Sequence, residues 1–292
     1  MSTIAVIGTL DSKGHEHAFV ADLIRQRDHI PLLIDLGTGE APVITPDISR
    51  YEVAAAAGLD LQPLLDLHDR GECVVAMSQA IPVLLEKLAR EGKIHGVISL
   101  GGGGGTALAT AGMRALPLGF PKLMVSTLAS GNTAHYLGTK DIAMMPAIVD
   151  VAGLNRISRM VFSRAASAIC AMVETNIATE DSKPIIAASM FGNTTACVTE
   201  ARRRLEAAGY EVMIFAATGN GGRTLESLVE SGLVTGVLDI TTTEWADELV
   251  GGVLTAGPER LDATAKARVP AIIAPGCLDM VNFGEPASVP AK

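Results

Sequence analysis

The chain has 292 residues, room for two domains of ordinary size, and 48% of them are hydrophobic against 19% charged. Its net charge of −9, with no lysine- or arginine-rich stripe and only 3% aromatics, argues against nucleic acid as a ligand. No apolar run reaches the roughly 18 residues of a membrane span, and the four cysteines, Cys73, Cys170, Cys197 and Cys277, form no CxxC pair that would signal zinc or a redox couple.

The N-terminus passes straight into an apolar run with no basic region or cleavage site, so a cytoplasmic protein is expected. Mean hydropathy is +0.34, which suits parallel strands covered on both faces. Residues 4–7 read as the first buried strand. Gly8, Thr9, Leu10, Asp11, Ser12, Lys13 and Gly14 form the loop after it, and a helix runs over 15–27 with Phe19, Leu23 and Ile24 on one face. Residues 32–34 give a second strand. Helical pieces follow at 49–57 and 73–91, the latter containing Pro82.

A third apolar run, 97–100, leads into Gly101, Gly102, Gly103, Gly104, Gly105 and Thr106, and then into a small-residue segment able to start a helix. Strand, glycines, helix is the order of an anion site in an α/β protein. Glycine lets a ligand touch the backbone, and the helix N-terminus adds free N–H groups and partial positive charge. A tight turn without ligand needs only one or two glycines. No Lys-Ser/Thr pair follows, so this is not a Walker A loop, and no acidic residue marks a dinucleotide fingerprint. Another strand over 122–125 ends in a polar loop holding Thr127, Ser130, Gly131 and Asn132. Residues 151–175 are amphipathic and read as a crossover helix.

The pattern then starts again. Residues 185–188 match the first strand, 209–215 match 28–35, 236–240 match 96–100, and 269–274 match 120–125. The expectation is therefore two similar doubly wound, Rossmann-like lobes with parallel sheets facing a cleft. Residues 1–150 make the N-terminal lobe with the glycine-rich loop, 151–180 the crossover helix, and 181–292 the second lobe. Ligands of such sheets lie off the carboxyl ends of the strands.

The loops there are rich in glycine and small polar residues, which bind through backbone N–H and hydroxyl groups. Lys13 can neutralise a phosphate, or lie in solvent. Asp11 can hold Mg²⁺ through one carboxylate, or cap its helix. Thr106 can bind phosphate, cap its helix, or do both. Gly219, Asn220, Gly221, Gly222 and Arg223 make a second glycine loop, in which Arg223 is either an anion clamp or a surface residue. Thr241, Thr242, Thr243 and Glu244 fall where the five glycines fall in the first lobe, and are expected to read the less charged end of a ligand. Cys277 is either a nucleophile, which needs a nearby base, or a buried thiol.

Several long stretches then resemble one family. They are 8–16, the five glycines, 125–131, 150–155, and Pro275-Gly276-Cys277-Leu278-Asp279 running on to Asn282-Phe283. The chain resembles the uncharacterised bacterial proteins related to the plant inhibitor of tobamovirus RNA replication. Ser12 stands where threonine is usual, keeping the hydroxyl. The resemblance covers essentially the whole chain and implies a two-lobed α/β fold with an ATP-binding domain, and a homo-oligomer; the Mg²⁺ read at Asp11 would accompany the ATP. It also implies a chain that continues beyond Asn282-Phe283, so part of the second lobe is expected to be missing. The plant domain binds the viral replication helicase, an activity not carried over here.

The leading expectation is a protein that holds a nucleotide or other phosphorylated or carboxylate small molecule. The phosphates rest on Gly101, Gly102, Gly103, Gly104, Gly105 and Thr106, with Thr9, Lys13, Thr127, Ser130 and Gly131 nearby. The alternatives are an enzyme of small organic-acid or sugar-acid metabolism using the same cleft, and a non-catalytic binding or scaffold module.

Overall fold

The computed structural model describes residues 1–67, 69–176 and 183–289. It divides into two compact units, Met1–Ile177 and Ala178–Lys292. Part of the segment expected to cross between lobes, 177–180, lies outside the described residues, as does His68.

The first unit holds strands β1 (Thr3–Gly8), β2 (Ile30–Asp35), β3 (Gly96–Gly101), β4 (Lys122–Ser126) and β5 (Ala143–Pro146). All pair in parallel, in the order β2-β1-β3-β4-β5. Its helices are α1 (Leu10–Arg25), α2 (Arg50–Ala56), α3 (Gln62–Asp66), α4 (Arg70–Arg90), α5 (Gly103–Ala115), α6 (Ala134–Leu137) and α7 (Arg156–Glu174).

Strand alternation sends β1 and β3 side chains to both faces, and both faces are covered. Ala5, Ile7, Val97 and Met124 meet Met77, Ile81 and Leu85 of α4 and Leu108 and Met113 of α5. Ile4, Val6, Ile98 and Val125 meet Val20 and Ile24 of α1 and Phe162, Ala165 and Ile169 of α7. Gly112 lets α4 and α5 close on each other, since a Cβ there would lie 2.8 Å from Leu85 Cδ1 and 2.9 Å from Ile81 Cγ1. The segment read as a crossover thus packs its apolar stripe on this sheet. It begins as a helix at Arg156, where Asn155 Oδ1 accepts the N–H groups of Ile157 and Ser158, each at 2.9 Å.

Two local expectations change. The first helix starts at Leu10 rather than about residue 15, with a break at Lys13 (φ −128°, ψ 20°). The five glycines are not a loop. Gly101 ends β3, Gly102 is the N-cap, and Gly103, Gly104 and Gly105 are the first turn of α5.

The second unit repeats the plan. It holds β6 (Ile185–Met190), α8 (Thr195–Ala207), β7 (Glu211–Ala216), α9 (Asn220–Glu230), β8 (Gly236–Thr241), α10 (Thr243–Val250), α11 (Asp262–Ala267) and β9 (Ala271–Gly276). The parallel order β7-β6-β8-β9 is that of β2-β1-β3-β4, so the chain carries two similar doubly wound lobes. The repeated anchors in the sequence are β6, β7, β8 and β9. Whereas β4 is buried along its length, β9 leaves Ile272 66% and Ile273 53% exposed.

Candidate functional site

In a sheet ordered 2-1-3-4-5 the chain leaves β1 and β3 toward opposite faces, and the crevice between their carboxyl ends is where ligands of such folds lie. Every residue singled out in the first unit falls along this edge. Thr9, Asp11 and Lys13 follow β1, Gly101 to Thr106 follow β3, and Thr127, Ser130 and Gly131 follow β4.

The start of α5 is bare. Gly102 supplies no capping side chain, and the N–H groups of Gly103, Gly104 and Gly105 precede the first intrahelical bond, Thr106 N to Gly102 O at 2.8 Å. None of the five glycines has a positive φ. Only Gly101 is required by crowding, since its Cβ would lie 3.1 Å from Gly105 Cα. At Gly102, Gly103, Gly104 and Gly105 the nearest atoms to a Cβ are 3.7 to 4.0 Å away. Neither conformation nor packing therefore demands glycine at these four positions, although Gly103, Gly104 and Gly105 each cost helix stability relative to alanine. Gly103 and Gly104 are exposed.

The other predicted residues take distinct places. Thr106 is fully buried, its Oγ1 2.7 Å from Ser126 Oγ, which in turn accepts Leu128 N–H at 3.0 Å. These bonds tie the end of β4 to α5. Thr127 is half-buried and donates its N–H to Gly101 O, while Ser130 and Gly131 are exposed on the loop beyond. Lys13 is half-buried and its ammonium forms no ion pair among the described residues. Thr9 Oγ1 accepts the Ser12 hydroxyl at 3.1 Å. Asp11 Oδ2 accepts Gly39 N–H at 2.9 Å, whereas Oδ1 is buried and unpartnered. No group of three metal-ligating side chains occurs among the described residues, and the Asp11 carboxylate is turned to the Gly39 amide with its other oxygen buried.

Sequence reasoning missed His17 and Asp35. His17 is fully buried beneath the β1–β3 crevice, with Nδ1 2.7 Å from Lys13 O and Nε2 3.4 Å from Leu100 N. Burial holds its pKa below the ordinary value. Asp35 accepts the N–H of Leu10, the first residue of α1, and is paired with buried Arg50 at 2.7 Å. A buried carboxylate followed by glycines was the available signal for Asp35; no spacing marks His17.

The second unit fills its own equivalent positions. Glu244 is fully buried, and its Oε1 accepts the N–H groups of Gly219 at 2.7 Å and Gly222 at 3.1 Å. The second glycine loop thus already holds an internal anion, and a Cβ on Gly222 would overlap that carboxylate. Arg260 donates to Glu244 at 2.7 Å, to both oxygens of Asp239, and to Glu226 at 2.9 Å. Burial pushes the Glu244 carboxyl up, against the pull of Arg260 and the two amides. Thr241, Thr242 and Thr243 are buried too. Thr241 and Thr194 share a 2.6 Å hydroxyl contact, and Thr242 donates to Ala274 O. Thr241, Thr243 and Glu244 therefore belong to the unit's polar core rather than to an open loop, while Thr242 lines a hollow of about 390 Å³ with Trp245 and Leu278. Arg223 is an exposed first-turn residue bonded to Asn220. Cys277 is a buried thiol whose pKa burial raises, in a left-handed backbone turn (φ 61°).

Two hollows flank the loop after β4. One, of about 580 Å³, is lined by Thr127, Ser130, Pro146, Ile148, Val149 and Asp150. The other, of about 390 Å³, adds Asn132, His135 and Tyr136 to Thr127, Leu128, Ser130 and Gly131. Ile148 has φ +67° and is 74% exposed, in a three-residue turn closed by Val149 N–H to Ala147 O at 2.8 Å. A β-branched residue in that conformation stores about 1–3 kcal/mol of strain.

Fold and site together define a duplicated, doubly wound α/β protein with one helix start left open at a switch point. The chain belongs to the uncharacterised protein family UPF0261, its N-terminal domain matching residues 2–178 and its C-terminal domain residues 183–292. A UPF0261 protein of Clostridium tetani is 46% identical over 290 residues, covering 99% of this chain and 72% of that protein. The tomato ToMV susceptible protein tm-1(GCR26) is 37% identical over 309 residues, covering 98% of this chain and 41% of its own length, which bears out the relation read from the sequence. Among solved structures, the UDP-GlcNAc 2-epimerase of Neisseria meningitidis bound to UDP-GlcNAc matches 94% of this chain and 88% of its own at 11% identity, with a TM-score of 0.32. The UDP-N-acetylglucosamine 2-epimerase of Rickettsia bellii matches 92% and 77% at 11% identity, with a TM-score of 0.29. Likenesses of this size say nothing about ligand or chemistry. No helix among the described residues is long and apolar enough to cross a membrane.

Proposed function

We propose that the chain binds the phosphates of a nucleotide, ATP in the first instance, on the free amides of Gly103, Gly104 and Gly105. The observation that carries this reading is the bared helix start. Four successive positions lack a side chain where neither φ nor a neighbouring atom requires it, and the cleared space borders three unpaired N–H groups. Lys13, without a carboxylate partner at the adjacent strand end, supplies the positive charge. Magnesium would arrive with the nucleotide, held by phosphate oxygens and water.

Calorimetric titration with Mg-ATP tests this. Saturable heat is expected, lost in Gly103→Val, whose fold should survive because the nearest atom to its Cβ is Leu128 Cδ1 at 3.8 Å. Absence of heat with the native chain contradicts the reading.

A second reading, an enzyme acting on a small organic acid or sugar acid, is favoured by the 580 Å³ hollow beside the same helix, with its hydroxyls and its carboxylate. A carboxylate would then take the amides of α5. Turnover of a sugar-acid panel, with no competition by ATP, would establish it in place of the first.

A further inference from the structure

We infer that the 580 Å³ hollow at the ends of β4 and β5 receives the hydroxylated body of an organic phosphate, and that Asp150 reads a vicinal diol there. The inference rests on the phosphate reading of the α5 start and adds the chemical class of what the phosphate is attached to.

The hollow has two kinds of wall. Pro146, Ile148 and Val149 form an apolar side, while Thr127 and Ser130 bring hydroxyls and Asp150 a carboxylate. One apolar face with polar groups at its rim suits a sugar ring, whose C–H face is apolar and whose edge carries hydroxyls. Asp150 is exposed and makes no hydrogen bond or ion pair with any described residue. An ionised carboxylate only accepts, and its two oxygens can take one hydroxyl each from adjacent carbons.

The hollow joins the helix start through Thr127. That residue lines the hollow, and its Oγ1 lies 3.7 Å from where a Gly102 Cβ would be. A ligand with its phosphate on Gly103 and Gly104 therefore has its next atoms over Thr127. The polarity is fixed as well: a second anion at the far end would face the Asp150 charge, so only one end of the ligand is anionic. The strained turn at Ile148 lies between Pro146 and Asp150 and carries Ile148, Val149 and Asp150 along the hollow. Backbone strain of this kind persists where surrounding structure uses it, as at ligand clamps.

The test is calorimetry on the full chain with three probes: inorganic tripolyphosphate, ADP, and 2′,3′-dideoxy-ADP. Tripolyphosphate should bind, ADP should bind more tightly, and the dideoxy analogue should be weaker than ADP by about tenfold, the scale of one or two hydrogen bonds to a charged group. Asp150→Asn should bring ADP to the dideoxy level and leave tripolyphosphate unchanged; circular dichroism checks that this exposed variant is folded. Thr127→Val should weaken ADP likewise. Equal affinity for ADP and its dideoxy analogue, or no effect of Asp150→Asn, with tripolyphosphate still bound, overturns this inference alone. Failure of tripolyphosphate to bind overturns the phosphate reading and this inference with it.

Discussion

His17 Nε2 accepts the backbone N–H of Leu100 at 3.4 Å, at the point where β1 and β3 stop pairing. The ladder between those strands ends at Ile7 and Ser99, so the ring packs against the last rung of β1 and β3. The other ring nitrogen lies 2.7 Å from Lys13 O and is then the protonated one, a neutral tautomer fixed from both sides. Gly8 makes room for the ring, since a Cβ there would overlap it.

A pH dependence follows from this ring. Burial holds the folded pKa of His17 below its ordinary value, so the unfolded chain takes up a proton near pH 6.5 that the folded chain refuses. Unfolded chain then binds more protons, and stability falls as pH drops below about 6.5, by up to about 1.4 kcal/mol per unit from this one group. Denaturant unfolding at pH 7.5 and 5.5 should show a larger loss for the native chain than for His17→Gln. Equal losses would remove His17 as the cause.

Substitution at Gly104 should separate stability from binding. Its Cβ would lie 4.0 Å from the nearest atom, Arg70 NH2, and alanine is the better helix former by up to about 1 kcal/mol. Gly104→Ala is expected to raise the melting temperature by a few degrees and to weaken Mg-ATP at least several-fold. A stabilised variant with native affinity would show that the ligand does not approach this turn.

The buried cluster of the second unit should behave as structure. Glu244→Ala leaves the Gly219 and Gly222 amides without their acceptor and removes one of the three carboxylates that Arg260 bonds. Breaking one side of a buried pair costs about 3–5 kcal/mol. Scanning calorimetry should show a strongly lowered transition, while Arg223→Ala, on the surface, moves it little. If Glu244→Ala changes ligand affinity without changing stability, the cluster is part of a site.

The turn at Ile148 should show the opposite trade from Gly104. Ile148→Gly relieves the left-handed strain and is expected to stabilise the chain by about 1 kcal/mol. It also removes a side chain from the wall of the hollow, so ADP should bind more weakly. Chemical denaturation and calorimetry on one preparation measure both, and unaltered ADP affinity would take the turn out of the site.

Much of the fold was legible because parallel strands buried on both faces read as plain apolar runs. The anchors at 185–188 and 236–240 became β6 and β8 for that reason, and 269–274 became β9 as an apolar run although its isoleucines are exposed. Strand β5 was missed because Ala143–Pro146 is short, partly exposed and carries a proline. The glycine run was legible as a ligand position but not as a helix turn, because helix propensity disfavours three glycines in a first turn and tertiary context overrides it. What the sequence could not show was who satisfies whom. Glu244 and the Gly219 amide are 25 residues apart, and Leu100 and His17 are 83 apart. Nothing in local spacing distinguishes a glycine loop filled by its own chain from one left open.

The most direct measurement is the amide ¹⁵N–¹H spectrum of the glycines during titration with Mg-ATP. The account predicts saturable shifts at Gly103, Gly104 and Gly105, with Thr127 following and Gly219 and Gly222 unmoved. Shifts at Gly219 and Gly222 with the α5 glycines unchanged, or no shifts at all, would contradict it.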